Sequence, residues 1–165
     1  MSSFRASRQR NSLTSKGDRA GWQIWIRWRI GLAIGFFAIL AIDIGLRLIT
    51  YRQLCKYLLI LSPQPDLLRV DIKRAYDFGR LINQAGIGLP WATCLRRSLA
   101  TWWLMRWSGI PSEIRIGVKL IPGDNSSHSW VEHHGEVIND AANIADFYPV
   151  NFSDLLEPEK VVRLR

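Results

Sequence analysis

The apolar positions of this chain change period several times, and each change predicts an element. Residues 30–42, IGLAIGFFAILAI, are uninterruptedly uncharged and read as a helix of about 20 Å. YRQLCKYLLILS continues as a second helical piece until Pro63 and Pro65 break it. From Leu67 to about Gln84, Leu68, Ile72, Ala75 and Ile82 fall on one helical face, with Arg69, Lys73 and Arg80 largely elsewhere. Gly86, Gly88 and Pro90 make a loop. Thr93 then stands as a cap for a helix starting at Cys94, where Leu95, Leu99 and Trp102 recur at helical spacing until Gly109 and Pro111. In EIRIGVKLI the period drops to two: Ile114, Ile116, Val118 and Leu120 alternate with Glu113, Arg115, Gly117 and Lys119, the pattern of a strand. PGDNSS ends that strand with turn chemistry, and HSWVEHHGEVIND reads as a hairpin about Gly135. Helices first and strands after predict an α+β fold.

Charge is unevenly spread. Residues 1–29 hold seven Lys/Arg against Asp18 alone, a net of +6 out of the chain's +8. The remainder is close to neutral, which argues against a nucleic-acid-binding domain. The Ser-, Arg- and Gly-rich start predicts a basic, disordered tail over residues 1–29, a hydrophobic helical segment over 30–62 and a folded domain over 67–165. Thirteen apolar residues fall short of a roughly 30 Å hydrocarbon core. Extending the span to Thr50 would include Asp43 and Arg47, each costing about 2.5–3.5 kcal/mol at a bilayer centre unless they pair at i,i+4. A retained helix that packs on the domain or lies in the membrane interface is therefore favoured over a full span, and no secretory cleavage site follows it.

Cys55 and Cys94 are the chain's two cysteines, in segments of different character, which argues against a disulfide framework and for a reducing, cytoplasmic setting. No Cys/His set has zinc spacing, so no metal is expected. Cys55 reads as a buried structural thiol. Cys94 is different. A cysteine in the first turn of a helix gains from the helix's partial positive charge and its free N–H groups, which can also hold an oxyanion. The backbone N–H of Cys94 is the candidate donor.

A thiol nucleophile needs a base, and all three histidines, His128, His133 and His134, lie in the hairpin. If the hairpin closes with a three-residue loop, His133–His134–Gly135, Glu132 opposes Glu136, Trp130 opposes Ile138, and His128 opposes Asp140. Opposed residues share a face at about 4.5–5.5 Å, close enough for Asp140 to hold one imidazole nitrogen. A one-residue slip would put Asp140 on the other face. Cys94, His128 and Asp140 are thus the expected nucleophile, base and orienting carboxylate.

At these residues CLRRSLATWWLMRWSGIPSEIRIGVKL followed by HSWVEHHGEVIND resembles the leader peptidases of lasso-peptide clusters, which are transglutaminase-like, papain-related cysteine proteases. The resemblance covers about Leu67 to Asp140 and implies the same three residues in the same roles. It implies a helix bearing the Cys packed on a short antiparallel sheet bearing His and Asp, preceded by hydrophobic helices. It also implies a precursor peptide as substrate, a separate leader-recognition protein and an ATP-using lasso cyclase as partners, and no bound cofactor. Ser129 departs from the family's more usual Ala, and no strand-rich segment able to grip a leader precedes Leu67. Two other readings fit the residues: transglutaminase-type acyl transfer from the same thioester, and a non-catalytic docking protein whose working part is a membrane-surface contact through residues 1–61.

Overall fold

Residues 3–119 and 126–151 are described by the computed structural model, with side chains over 25–119 and 126–149. The turn expected at PGDNSS, for its residues up to 125, and the domain residues after 151 lie outside that range. Helix α1 spans Ser3–Leu48, so regular structure begins well ahead of the apolar segment, where a disordered tail is expected. No proline interrupts the chain before Pro63, and extending an existing helix adds one hydrogen bond for each residue fixed. Helix α2, Tyr51–Leu61, opens on a capping box in which Thr50 and Gln53 satisfy each other's backbone N–H groups.

Helix α3 spans Ile72–Ala85, five residues shorter at its start than the apolar spacing predicts. Asp71 sets the new boundary: its carboxylate accepts from Arg74 N and ion-pairs with Arg69 at 3.1 Å, a cap that outcompetes continuation of the helix toward Leu67. Leu67 and Leu68 are left exposed. Helix α4, Cys94–Trp107, starts where expected and buries Leu99, Trp102 and Met105. Thr93 occupies its cap position, but the Thr93 hydroxyl accepts from Arg96 instead of from the helix backbone.

The sheet is antiparallel throughout, in the order β3-β2-β1-β4, with β1 at Glu113–Val118, β2 at Ser127–His133, β3 at Glu136–Val137 and β4 at Val150–Asn151. A one-turn helix, α5 at Ile144–Phe147, joins β3 to β4. One core contains Ile39 and Ile42 of α1, Leu58 of α2, Ile82 of α3, Leu99 of α4, and Ile114 and Val131 of the sheet. The apolar N-terminal helix therefore shares its core with the α+β body. Trp130, Val137 and Ile144 form a smaller cluster, with Tyr148 against it.

Candidate active site

The hairpin decides where the chemistry sits, and its register differs by one residue from the expected one. Glu132 pairs with Val137 and His133 with Glu136, around a two-residue turn in which His134 and Gly135 both have positive φ, 50° and 82°. A two-residue turn with both central residues left-handed matches the twist of the flanking strands, and histidine tolerates the left-handed region better than most residues. The shift also removes the Glu132–Glu136 opposition. Glu132 instead accepts from Arg115 Nε at 2.9 Å and from Trp130 Nε1 at 2.8 Å.

In a longer ladder that register would carry Asp140 away from His128. The ladder stops first. β3 ends at Val137, so Asp140 stands on a bend and not on a strand, and its Oδ2 lies 2.6 Å from His128 Nε2. What turns the chain there is a buried polar network. Asn139 Oδ1 accepts from Val131 N at 2.8 Å, taking the place of the next strand residue, and Asn139 Nδ2 donates to Ser98 Oγ at 3.1 Å. Ser98 in turn donates to the carbonyl of Ser129 at 2.9 Å, and Asn83 Nδ2 holds the carbonyl of Asn139 at 2.8 Å. Gly79 lets α3 approach this bend, since a Cβ there would lie 2.4 Å from the carbonyl oxygen of Ile138.

Ser129 Oγ lies 3.5 Å from Ser98 Oγ of α4, whereas His128 lies against Tyr148. β3 pairs with β2 only at Glu132 and His133, so beside His128 that edge of the sheet is open to a cleft. The cleft, about 230 Å³, is lined by Asn83, Cys94, Arg97, His128, Asn139 and Asp140, with Ser129. The structure thus brings all three expected site residues to one cavity. No hydrogen bond joins Cys94 Sγ to His128 among the described residues; the pair that touches is His128–Asp140. With Nε2 held by the carboxylate, Nδ1 is the ring nitrogen available to a thiol.

Tyr148 stacks on His128, with ring centroids 5.2 Å apart and planes 27° from parallel. Gly117, which pairs with His128 across the ladder, permits this: a Cβ there would lie 2.5 Å from the Tyr148 carbonyl oxygen and 2.6 Å from its Cβ. The other histidines are occupied elsewhere. His133 Nδ1 lies 2.6 Å from the Pro111 carbonyl, and its Nε2 accepts from Asp71 N at 3.2 Å, which assigns the proton to Nδ1. His134 Nε2 lies 3.2 Å from the Arg69 carbonyl. Sequence reasoning missed Asn139, Ser98, Asn83 and Tyr148. One signal for Ser98 was available, a hydroxyl one turn past Cys94 on a helix otherwise read as core.

No group of three or more His, Cys, Asp or Glu side chains among the described residues is arranged to hold a metal ion. Residues 38–151 match the family model described as the transglutaminase-like superfamily, from the last quarter of α1 to the end of β4. No curated protein and no solved structure matches the chain significantly.

Proposed function

Starting from the chain's membership of the transglutaminase-like superfamily, we propose that it is a cysteine peptidase that removes the leader from a ribosomally made lasso-peptide precursor. Cys94 is the nucleophile, His128 the base and Asp140 its orienting partner. The observation that supports this best is the 2.6 Å His128–Asp140 bond inside a cleft that Cys94 also lines.

In this reading His128 Nδ1 takes the thiol proton and Cys94 Sγ attacks the scissile carbonyl carbon, whose π electrons move to oxygen. The backbone N–H of Cys94, in the first turn of α4, is the donor nearest the developing oxyanion, and each such donor supplies about 2.7–4 kcal/mol in other enzymes. Collapse breaks the C–N bond, and the amine leaves with the proton from His128. Water then attacks the thioester, returning the thiol and releasing the leader as an acid. Asp140 holds Nε2–H throughout, which fixes the tautomer and stabilises the imidazolium. A cleft this small holds only residues beside the scissile bond. A separate recognition protein presents the leader, and the freed peptide passes to a cyclase.

Cleavage of the precursor peptide by the full chain with that recognition protein, followed by mass spectrometry, tests the reading. Cys94→Ala and His128→Ala are each expected to lose about 10³-fold or more, because nucleophile and base act as a unit. Asp140→Asn should lose activity at unchanged thermal stability, while His134→Ala keeps it. Near-normal turnover by Cys94→Ala would sink the assignment. A product carrying added mass, with no free leader acid, would replace hydrolysis by acyl transfer to an amine.

A further inference from the structure

Helix α1 has two apolar faces. Ala38, Ile39 and Ile42 turn inward and are buried. Opposite them, Ile30, Ile34, Phe37, Ala41, Ile44 and Leu48 follow one another at steps of three and four residues, an uncharged stripe along five turns of helix. It faces solvent: Phe37 is 63% exposed and Leu48 77%. Near its N-terminal half an apolar groove of about 530 Å³ opens between α1 and α4, walled by Trp103 and Trp107. A continuous apolar surface of this extent marks a site of association.

Charge selects the occupant. At the N-terminal end of the stripe Trp25 and Trp28 are exposed beside Arg27 and Arg29, and the Arg29 guanidinium lies 4.9 Å over the Trp25 ring. Residues 1–29 carry +6 in all. A second copy of the chain would set another +6 beside the first, which costs free energy, and an uncharged protein partner would leave the cations unmatched. An anionic bilayer takes the stripe into its acyl boundary, the indoles at the headgroup level and Arg27 and Arg29 against its phosphates.

We propose that the outer stripe of α1 and its basic flank seat this protein in plane on an anionic lipid surface. Trp25–Leu48 is about 36 Å of helix, long enough to cross a bilayer. Crossing would strip Ile39 and Ile42 from the core and break the ion pair of Asp43 with Arg96 of α4, at 2.6 Å. Lying in the interface keeps both.

Sedimentation of the full chain with phosphatidylcholine vesicles, with and without 30% phosphatidylglycerol, tests this. Binding should be at least tenfold stronger to the anionic vesicles and weaken in 0.5 M salt. Ile34→Glu with Phe37→Glu should weaken it at least tenfold at unchanged helical content and thermal stability. Arg27→Glu with Arg29→Glu, which leaves the stripe intact, should do the same for anionic vesicles alone. Equal binding to both vesicles, or undiminished binding by the stripe variant, would overturn the proposal. So would a lipid-free dimer that the stripe variant dissolves, which would make a second copy the occupant. Retention in cell membranes through alkaline carbonate extraction would mean the helix spans. Peptide cleavage is not part of this readout, so its failure leaves the peptidase reading untouched.

Discussion

Two cysteines in one chain show how far burial alone separates chemistries. Cys55 is buried under α1 and beside Tyr51; burial pushes its thiol up to about 11, and the hydrogen bond with Tyr51 only partly opposes this. At pH 8 such a thiol is thiolate at about one part in a thousand, so it is inert. Cys94 lines an open cleft at a helix start. Brief alkylation of the folded protein at pH 8 should therefore modify Cys94 and spare Cys55, read by peptide mapping. Equal labelling of both would show that the core around α2 opens freely. The same contrast divides the histidines. Those beside the turn are consumed in tying residues 69–71 and Pro111 to the hairpin, and His128 alone reaches the cleft.

At the scale of elements, the hairpin, the bend after it and α3 form one device. Its strand register is short, and the bend rather than the ladder delivers Asp140. Gly79 is where this can be measured. Alanine at an interior helical glycine ordinarily gains about 1 kcal/mol. Here the added Cβ would meet a carbonyl oxygen at 2.4 Å, a backbone atom that cannot rotate aside. Gly79→Ala is therefore expected to lower the unfolding midpoint despite the better propensity, and to reduce cleavage as Ile138–Asp140 shifts. A stabilised, fully active variant would show that α3 does not fix the bend. Loss of the Asn139 side chain should have the larger cost, about 1–3 kcal/mol, because Val131 N and Ser98 Oγ would be left buried with fewer partners.

For the whole molecule the joint between α1 and the body matters most, and Asp43 is its polar centre. Burial works to raise its pKa, but the hydrogen bonds from Arg47 and Arg96, with their charges, outweigh this and hold the carboxyl below its usual value of 3.8. A carboxyl lowered on folding stabilises fully above its unfolded pKa, and the contribution is lost as the pH falls through the folded value. Asp43→Asn should thus be less stable than the wild type at pH 7, with the gap closing as the pH drops toward 3. Urea unfolding midpoints across that range measure it. A gap that stays constant with pH would mean that the ion pairs do not join α1 to α4.

The sequence by itself determined what depends on neighbours along the chain. It specified the helix that begins at Cys94, the period-two strand that starts at Glu113, a turn at Gly135 and the apolar run of α1, because helical spacing, alternation, left-handed backbone and hydrophobicity are local properties. Tertiary structure decided the rest. Whether α3 starts at Leu67 or Ile72 depended on the backbone N–H of Asp71 finding His133. The hairpin register depended on Glu132 finding Arg115, and the approach of Asp140 to His128 on Asn139 substituting for a strand against Ser98 of α4. Each of these is a contact between distant residues, where a buried polar group must meet its partner or lose about a hydrogen bond's worth of stability, and no spacing along the chain encodes which partner it meets.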